Sequence, residues 1–154
     1  MGYSLKVMFS KSCIYAIKIM IYFALQARDQ DENEITYIGV SQVKDAIGSP
    51  QPFTAKILQQ LSKAGMLESL RGPNGGFCLP KDKKVSLEEI VRVIDGNQLL
   101  DGCVLGFKEC SEHRPCPAHF KFKSVRDYLK GALASTDVEE MKQIIEVGKG
   151  YIKY

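Results

Sequence analysis

Residues 40–79 read VSQVKDAIGSPQPFTAKILQQLSKAGMLESLRGPNGGFCL, and this stretch decides the fold. Val40, Val43 and Ile47 fall on one side of a short helix, Val40–Ile47. Gly48-Ser49-Pro50 then ends it: glycine accepts a left-handed C-cap, and proline cannot continue the helix. A second helix is predicted from Gln51 to Ala64, with Phe53, Ile57, Leu58 and Leu61 facing inward. Two short helices joined by a tight glycine-containing turn are a helix-turn-helix. Gly65 stops the second helix, and Met66–Leu70 and Gly76–Leu79 read as strands. The turn residues Arg71-Gly72-Pro73-Asn74-Gly75 connect them as a hairpin. A hairpin directly after a helix-turn-helix is a wing.

The flanks read as helices. Ser10 or Ser12 can cap a first helix, Ser10–Arg28, in which Ile14, Ile17, Ile21, Ala24 and Leu25 recur at helical spacing. The acidic run Asp29, Asp31, Glu32 and Glu34 follows as a loop. Ser86 and Glu89 form a capping box that opens a helix over Leu87–Ile94. A long helix is predicted from Phe120 to Ala134. A second capping box, Thr136 with Glu139, opens a last helix to Val147. The expected fold is mainly α with a small β-hairpin. It divides into a winged domain (1–98), a cysteine-rich loop (99–119) and dimerisation helices (120–154).

The 154 residues carry 45% hydrophobic side chains, ordinary for a folded chain, and a net charge of +3, which permits nucleic-acid binding without arguing for it. The apolar run Cys13–Ala27 is broken by Lys18 and falls short of the about 20 residues of a membrane span. With no secretory signal, a reducing cytoplasm is expected and a membrane partner is not. There, clustered cysteines point to metal or redox chemistry rather than structural disulfides.

Three of the five cysteines cluster with a histidine: Cys103-x6-Cys110-x5-Cys116-x2-His119. Thiolates bind iron–sulfur clusters and zinc, and histidine completes either site. The spacings exceed those usual in structural zinc sites, and Cys116-Pro117 is similar to the Cys-Pro that ends ferredoxin-type runs. His113 competes with His119 for the fourth place. Free thiols in a loop are the plainer reading. Cys13 and Cys78 are expected to be packing residues. Cys116 and His119 could mimic a catalytic pair, but ligation explains them better, and no enzyme activity is expected.

In a DNA-binding reading, the second helix enters the major groove. Gln51, Thr54, Ala55 and Lys56 lie at its N-terminal end, with Gln59 one turn on. Arg71 at the wing tip is placed for the minor groove. Phe120, Val125, Tyr128, Leu129 and Leu133 give the long helix an apolar stripe that a second subunit would cover. The bland alternatives are a winged helix used for protein contacts, and a helix packed on its own domain.

Three stretches carry a resemblance. Phe9-Ser10-Lys11-Ser12-Cys13-Ile14-Tyr15-Ala16 looks like a Ser-Lys-x-x-x-Tyr-Ala start. Leu70-Arg71-Gly72-Pro73-Asn74-Gly75-Gly76-Phe77 is similar to an Arg-Gly-Pro-x-Gly-Gly-Tyr signature, the most specific match. Ile90-Val91-Arg92-Val93-Ile94-Asp95-Gly96 fits the helix before the cysteines. Over nearly its whole length the chain resembles the Rrf-two family of bacterial winged-helix transcriptional regulators. The resemblance implies a homodimer on double-stranded DNA, with Lys11 and Asn74 added to the contact set. It implies a [2Fe–2S] or [4Fe–4S] iron–sulfur cluster on Cys103, Cys110 and Cys116. His119 stands where the family's iron–sulfur regulator has its fourth ligand. The gap from Cys103 to Cys110 is one residue longer than in that regulator, and Thr54-Ala55-Lys56 differs from its recognition helix, so a different DNA sequence is expected. The expected function is a dimeric regulator whose operator affinity follows a redox-, iron- or nitric-oxide-sensitive cluster. The alternative is a cluster-free regulator that senses through thiol oxidation or a partner protein.

Overall fold

A computed structural model describes residues 8–27 and 35–153. Arg28 and the acidic run from Asp29 to Glu34 lie outside the described residues. The elements are α1 (Lys11–Gln26), α2 (Val40–Ile47), α3 (Gln51–Lys63), β1 (Glu68–Leu70), β2 (Gly76–Cys78), α4 (Leu87–Asp95), α5 (Gln98–Asp101), α6 (His119–Ser135) and α7 (Val138–Glu146).

Local chemistry sets most boundaries. The Ser10 hydroxyl caps α1 by accepting from the Cys13 N–H at 3.1 Å, so Ser10 rather than Ser12 is the cap. Gly48 ends α2 with φ 69° and ψ 42°, a left-handed cap that costs glycine little. Ser86 and Glu89 make the expected capping box on α4. The expected second box does not form. Asp137 caps α7, accepting from the Glu140 N–H at 2.7 Å, while the Thr136 hydroxyl turns back to the Ala132 carbonyl at 2.9 Å. The four-residue α5 was not foreseen.

The wing strands are antiparallel, with Ser69 opposite Phe77. Ile38 bridges the other side of β2: its N–H donates to the Phe77 carbonyl at 2.8 Å, and the Phe77 N–H donates back at 2.9 Å. These bonds cover the outer edge of β2 before α2 begins. Gly76 permits the approach, since a Cβ there would run into the Ile38 carbonyl.

One core joins α1, α2, α3, α4 and α7 through residues such as Ile19, Phe23, Ile47, Leu58, Ile90 and Val138. Each fully buried side chain of this kind contributes roughly 1.5–3 kcal/mol. A second, smaller core of Cys13, Val91, Leu100 and Leu133 seats α5 and the end of α6 on α1 and α4. Leu133 is therefore internal, with Leu129 packed against the same core. Phe120, Val125 and Tyr128 are 63%, 60% and 82% exposed, so one face of α6 stays uncovered in a single chain. Among the described residues, no helix is long and apolar enough to cross a membrane.

Candidate metal centre and nucleic-acid interface

The cysteine loop begins at the end of α5 and closes at the start of α6. It contains no helix or strand, so turns and side chains order it. The Gly106 N–H reaches the Cys103 carbonyl at 2.9 Å, and the His119 N–H reaches the Cys116 carbonyl at 3.0 Å. The chain thus folds back on itself and brings Cys103, Cys110 and Cys116 together. Their sulfurs all lie within 4.8 Å of one another, an arrangement that can hold a metal. Cys103 and Cys116 are 3.6 Å apart at sulfur, and the Cys116 N–H points at the Cys110 sulfur at 3.4 Å.

His119 sits beside this set. Its Nδ1 is 3.1 Å from the Cys110 sulfur. The ring is 6% exposed, and Nε2 is buried without a hydrogen-bond partner among the described residues. An orphaned buried nitrogen is costly, and a ligand or a small ring shift would satisfy it. His113, its rival, is exposed on the loop. A cleft of about 230 Å³ opens here, lined by Cys103, Cys110 and His119 on one side and by Lys123, Arg126 and Lys130 of α6 on the other.

The thiols differ in acidity. Burial disfavours a thiolate at Cys103, but donation from the Phe107 and Leu105 backbone N–H groups and from Cys116 and Cys110 outweighs it and brings the thiol down to about 7. Cys116 moves upward: burial raises it, and so do Cys103 and Cys110, against one N–H from Ala118. The thiolate is the metal-ligating form, so a lowered Cys103 suits metal capture. Cys13 and Cys78 are buried, as expected of packing residues. Burial, then the nearby Asp95 carboxylate, pushes Cys13 up to about 12, which keeps it a neutral thiol.

At the winged end, Lys11, Gln51, Lys56, Gln59, Arg71 and Asn74 are all exposed. Thr54 is not, and its place in the contact set is corrected. It is fully buried, and its hydroxyl is 2.5 Å from that of Ser49 and donates to the Pro50 carbonyl at 3.0 Å. Thr54 locks the turn between α2 and α3 instead of facing a base. Two residues not singled out as contacts also orient α3: the Tyr15 ring meets the Phe53 ring edge-on at 5.4 Å and ties α1 to the start of α3.

The cysteine loop is anchored by groups that sequence reading missed. Arg92 of α4 bonds Asp101 at 2.6 Å, and Arg126 of α6 donates to the Gly102 carbonyl at 2.8 Å. Arg92 also pairs with Glu88 of α4 at 2.8 Å, and this i,i+4 spacing is the sequence signal that could have flagged Arg92.

Known proteins match this arrangement. The family model Rrf2, described as Iron-dependent Transcriptional regulator, matches residues 9–143. A protein of Aquifex aeolicus named as an HTH-type transcriptional regulator is 28% identical, over 90% of this chain and 93% of its own length. The HTH-type transcriptional regulator IscR of Photorhabdus laumondii is 25% identical, over 86% of this chain and 77% of its own length. The solved structure of T. potens IscR superposes with a TM-score of 0.68 at 21% identity, covering 98% of this chain and 96% of that one. These relatives are regulators rather than enzymes. A winged helix, a matching family model over most of the chain and relatives of the same kind lead to one conclusion: the chain is a transcriptional regulator of the Rrf2, or Rrf-two, family.

Proposed function

We propose that the chain is a cytoplasmic, homodimeric DNA-binding regulator whose operator affinity follows an iron–sulfur cluster held by Cys103, Cys110 and Cys116, with His119 as fourth ligand. The observation that carries this reading is the convergence of three sulfurs within 4.8 Å of one another. His119, whose Nδ1 is 3.1 Å from the Cys110 sulfur, is the nitrogen donor beside them. A bound cluster supplies a redox-active, oxidant-labile group. Lys11, Gln51, Lys56, Gln59, Arg71 and Asn74 are the proposed DNA contacts. The uncovered face of Phe120, Val125 and Tyr128 on α6 is the proposed subunit contact, and a dimer would read two half-sites.

The test is a duplex selected by the protein from a random-sequence library, with affinity measured before and after oxidant treatment. Wild type should respond, and Cys110→Ala should not. A Cys110→Ala protein that responds as wild type does would refute cluster sensing. One observation favours a second reading, sensing by thiol oxidation. Cys103 and Cys116 are 3.6 Å apart at sulfur, and a disulfide could join them without iron. Iron and sulfide content separates the two.

A further inference from the structure

The chain enters Cys103 under control from two helices. On α4, Arg92 makes three contacts with one guanidinium: Glu88 at 2.8 Å, Asn97 at 2.8 Å and Asp101 at 2.6 Å. The other Asp101 oxygen meets Lys130 of α6 at 2.5 Å. Asp101 ends α5, and Gly102 and Cys103 follow directly. The Gly102 carbonyl accepts from Arg126 of α6, and a Cβ at Gly102 would run into Gln98. The backbone just before Cys103 is thus fixed to both α4 and α6.

The same α4 packs against the recognition helix. Ile90, two residues before Arg92, is fully buried in the core that holds Ile57 and Leu58 of α3. An isolated surface ion pair carries little energy. Arg92 is different in kind: three partners hold its planar fork from different directions, so its position is set. Coupling between two sites needs an element that both can bias, and α4 touches both.

We infer that Arg92 is a positioning residue: through Asp101 it ties the order of the cysteine loop to the placement of α3 by way of α4. This rests on the sensing reading above. Three cations of α6 hold the loop as well; α5 and α6 also meet α4 through the core of Val91, Leu100 and Leu133, and among the described residues Arg92–Asp101 is the charged link from α4 to the residue two before Cys103. Lys123, paired with Glu112 at 2.7 Å, secures another part of the loop.

The experiment uses the full chain, metal-free and after anaerobic reconstitution with iron and sulfide, and a duplex selected by wild type from a random library. Wild type should differ in affinity between the two forms by about fivefold or more. In Arg92→Gln that ratio should fall to within about twofold, with metal-free affinity unchanged, and Arg92→Lys should keep part of it. In the metal-free protein, amide exchange across residues 99–103 should quicken in Arg92→Gln. Asp101→Asn cuts the same link and serves where Arg92→Gln does not fold. Arg114→Ala, which cuts an exposed ion pair to Glu109 within the loop, should keep the wild-type ratio. A wild-type ratio in both Arg92→Gln and Asp101→Asn overturns the coupling alone, as does an equal collapse in Arg114→Ala. A wild-type ratio near one contradicts the sensing reading and overturns the coupling with it.

Discussion

Asp101 holds Arg92 of α4 with one carboxylate oxygen, at 2.6 Å, and Lys130 of α6 with the other, at 2.5 Å. Hydrogen bonds from Arg92 and then Lys130 stabilise its charged form and bring its pKa down from an ordinary 3.8 to about 2. A carboxylate whose folded pKa is depressed adds stability above its unfolded pKa, and that stability is lost as pH falls through the folded value. The difference between wild type and Asp101→Asn should therefore open as pH rises from 2 to 4 and stay level above that. It should be small, because the side chain is 44% exposed and water screens it. Urea midpoints of the metal-free proteins across that range check this.

Thr54 and Lys56 should separate structure from recognition. Thr54→Val keeps the shape but strands the Ser49 hydroxyl, and should destabilise the fold by about 1–3 kcal/mol in chemical denaturation. Lys56→Ala should leave stability within about 0.5 kcal/mol and weaken binding to the selected duplex. A stable Thr54→Val protein that loses only DNA affinity would restore Thr54 to the contact set.

Gly76→Ala should unseat Ile38 from the wing. The added methyl meets the Ile38 carbonyl, and the two bonds between Ile38 and Phe77 must lengthen or break. A loss of roughly 1–3 kcal/mol is expected, with faster amide exchange at Ile38 and Phe77. Unchanged exchange at both would mean that the strand edge adapts.

Arg71→Ala at the wing tip should weaken DNA binding by about 1–3 kcal/mol if it reads a base, and the affinity of the wild type should fall with salt. Titration of the selected duplex at several salt concentrations gives both numbers. A variant with wild-type affinity and salt slope would remove Arg71 from the interface.

The winged fold is legible in residues whose backbone demands are local. Gly48 needs a left-handed turn and marks the end of its helix without any tertiary information, whereas the need of Gly76 for open space beside Ile38 is a long-range one. The partner strand residue Ile38 is not legible, because one bridge has no periodicity. Thr54 shows the limit of helical spacing. Its position near the start of α3 fits a contact residue, but the turn at Ser49 rotates it inward, and only packing reveals that. Thr136 and Asp137 are both capping types; the Val138 N–H bond to the Val85 carbonyl at 2.9 Å settles the start of α7 on Asp137. The cysteine set is legible from residue type alone. Its anchors are not, since Arg92 reaches Asp101 across nine positions and Arg126 reaches Gly102 across 24.

The central claim is that Cys103, Cys110 and Cys116 carry an iron–sulfur cluster. The most direct measurement is anaerobic purification with an absorption spectrum and counts of iron, sulfide and zinc per chain. A brown protein with iron and acid-labile sulfide in near-equal amounts is expected, and Cys110→Ala without them. A colourless wild type that stays metal-free after reconstitution would contradict it.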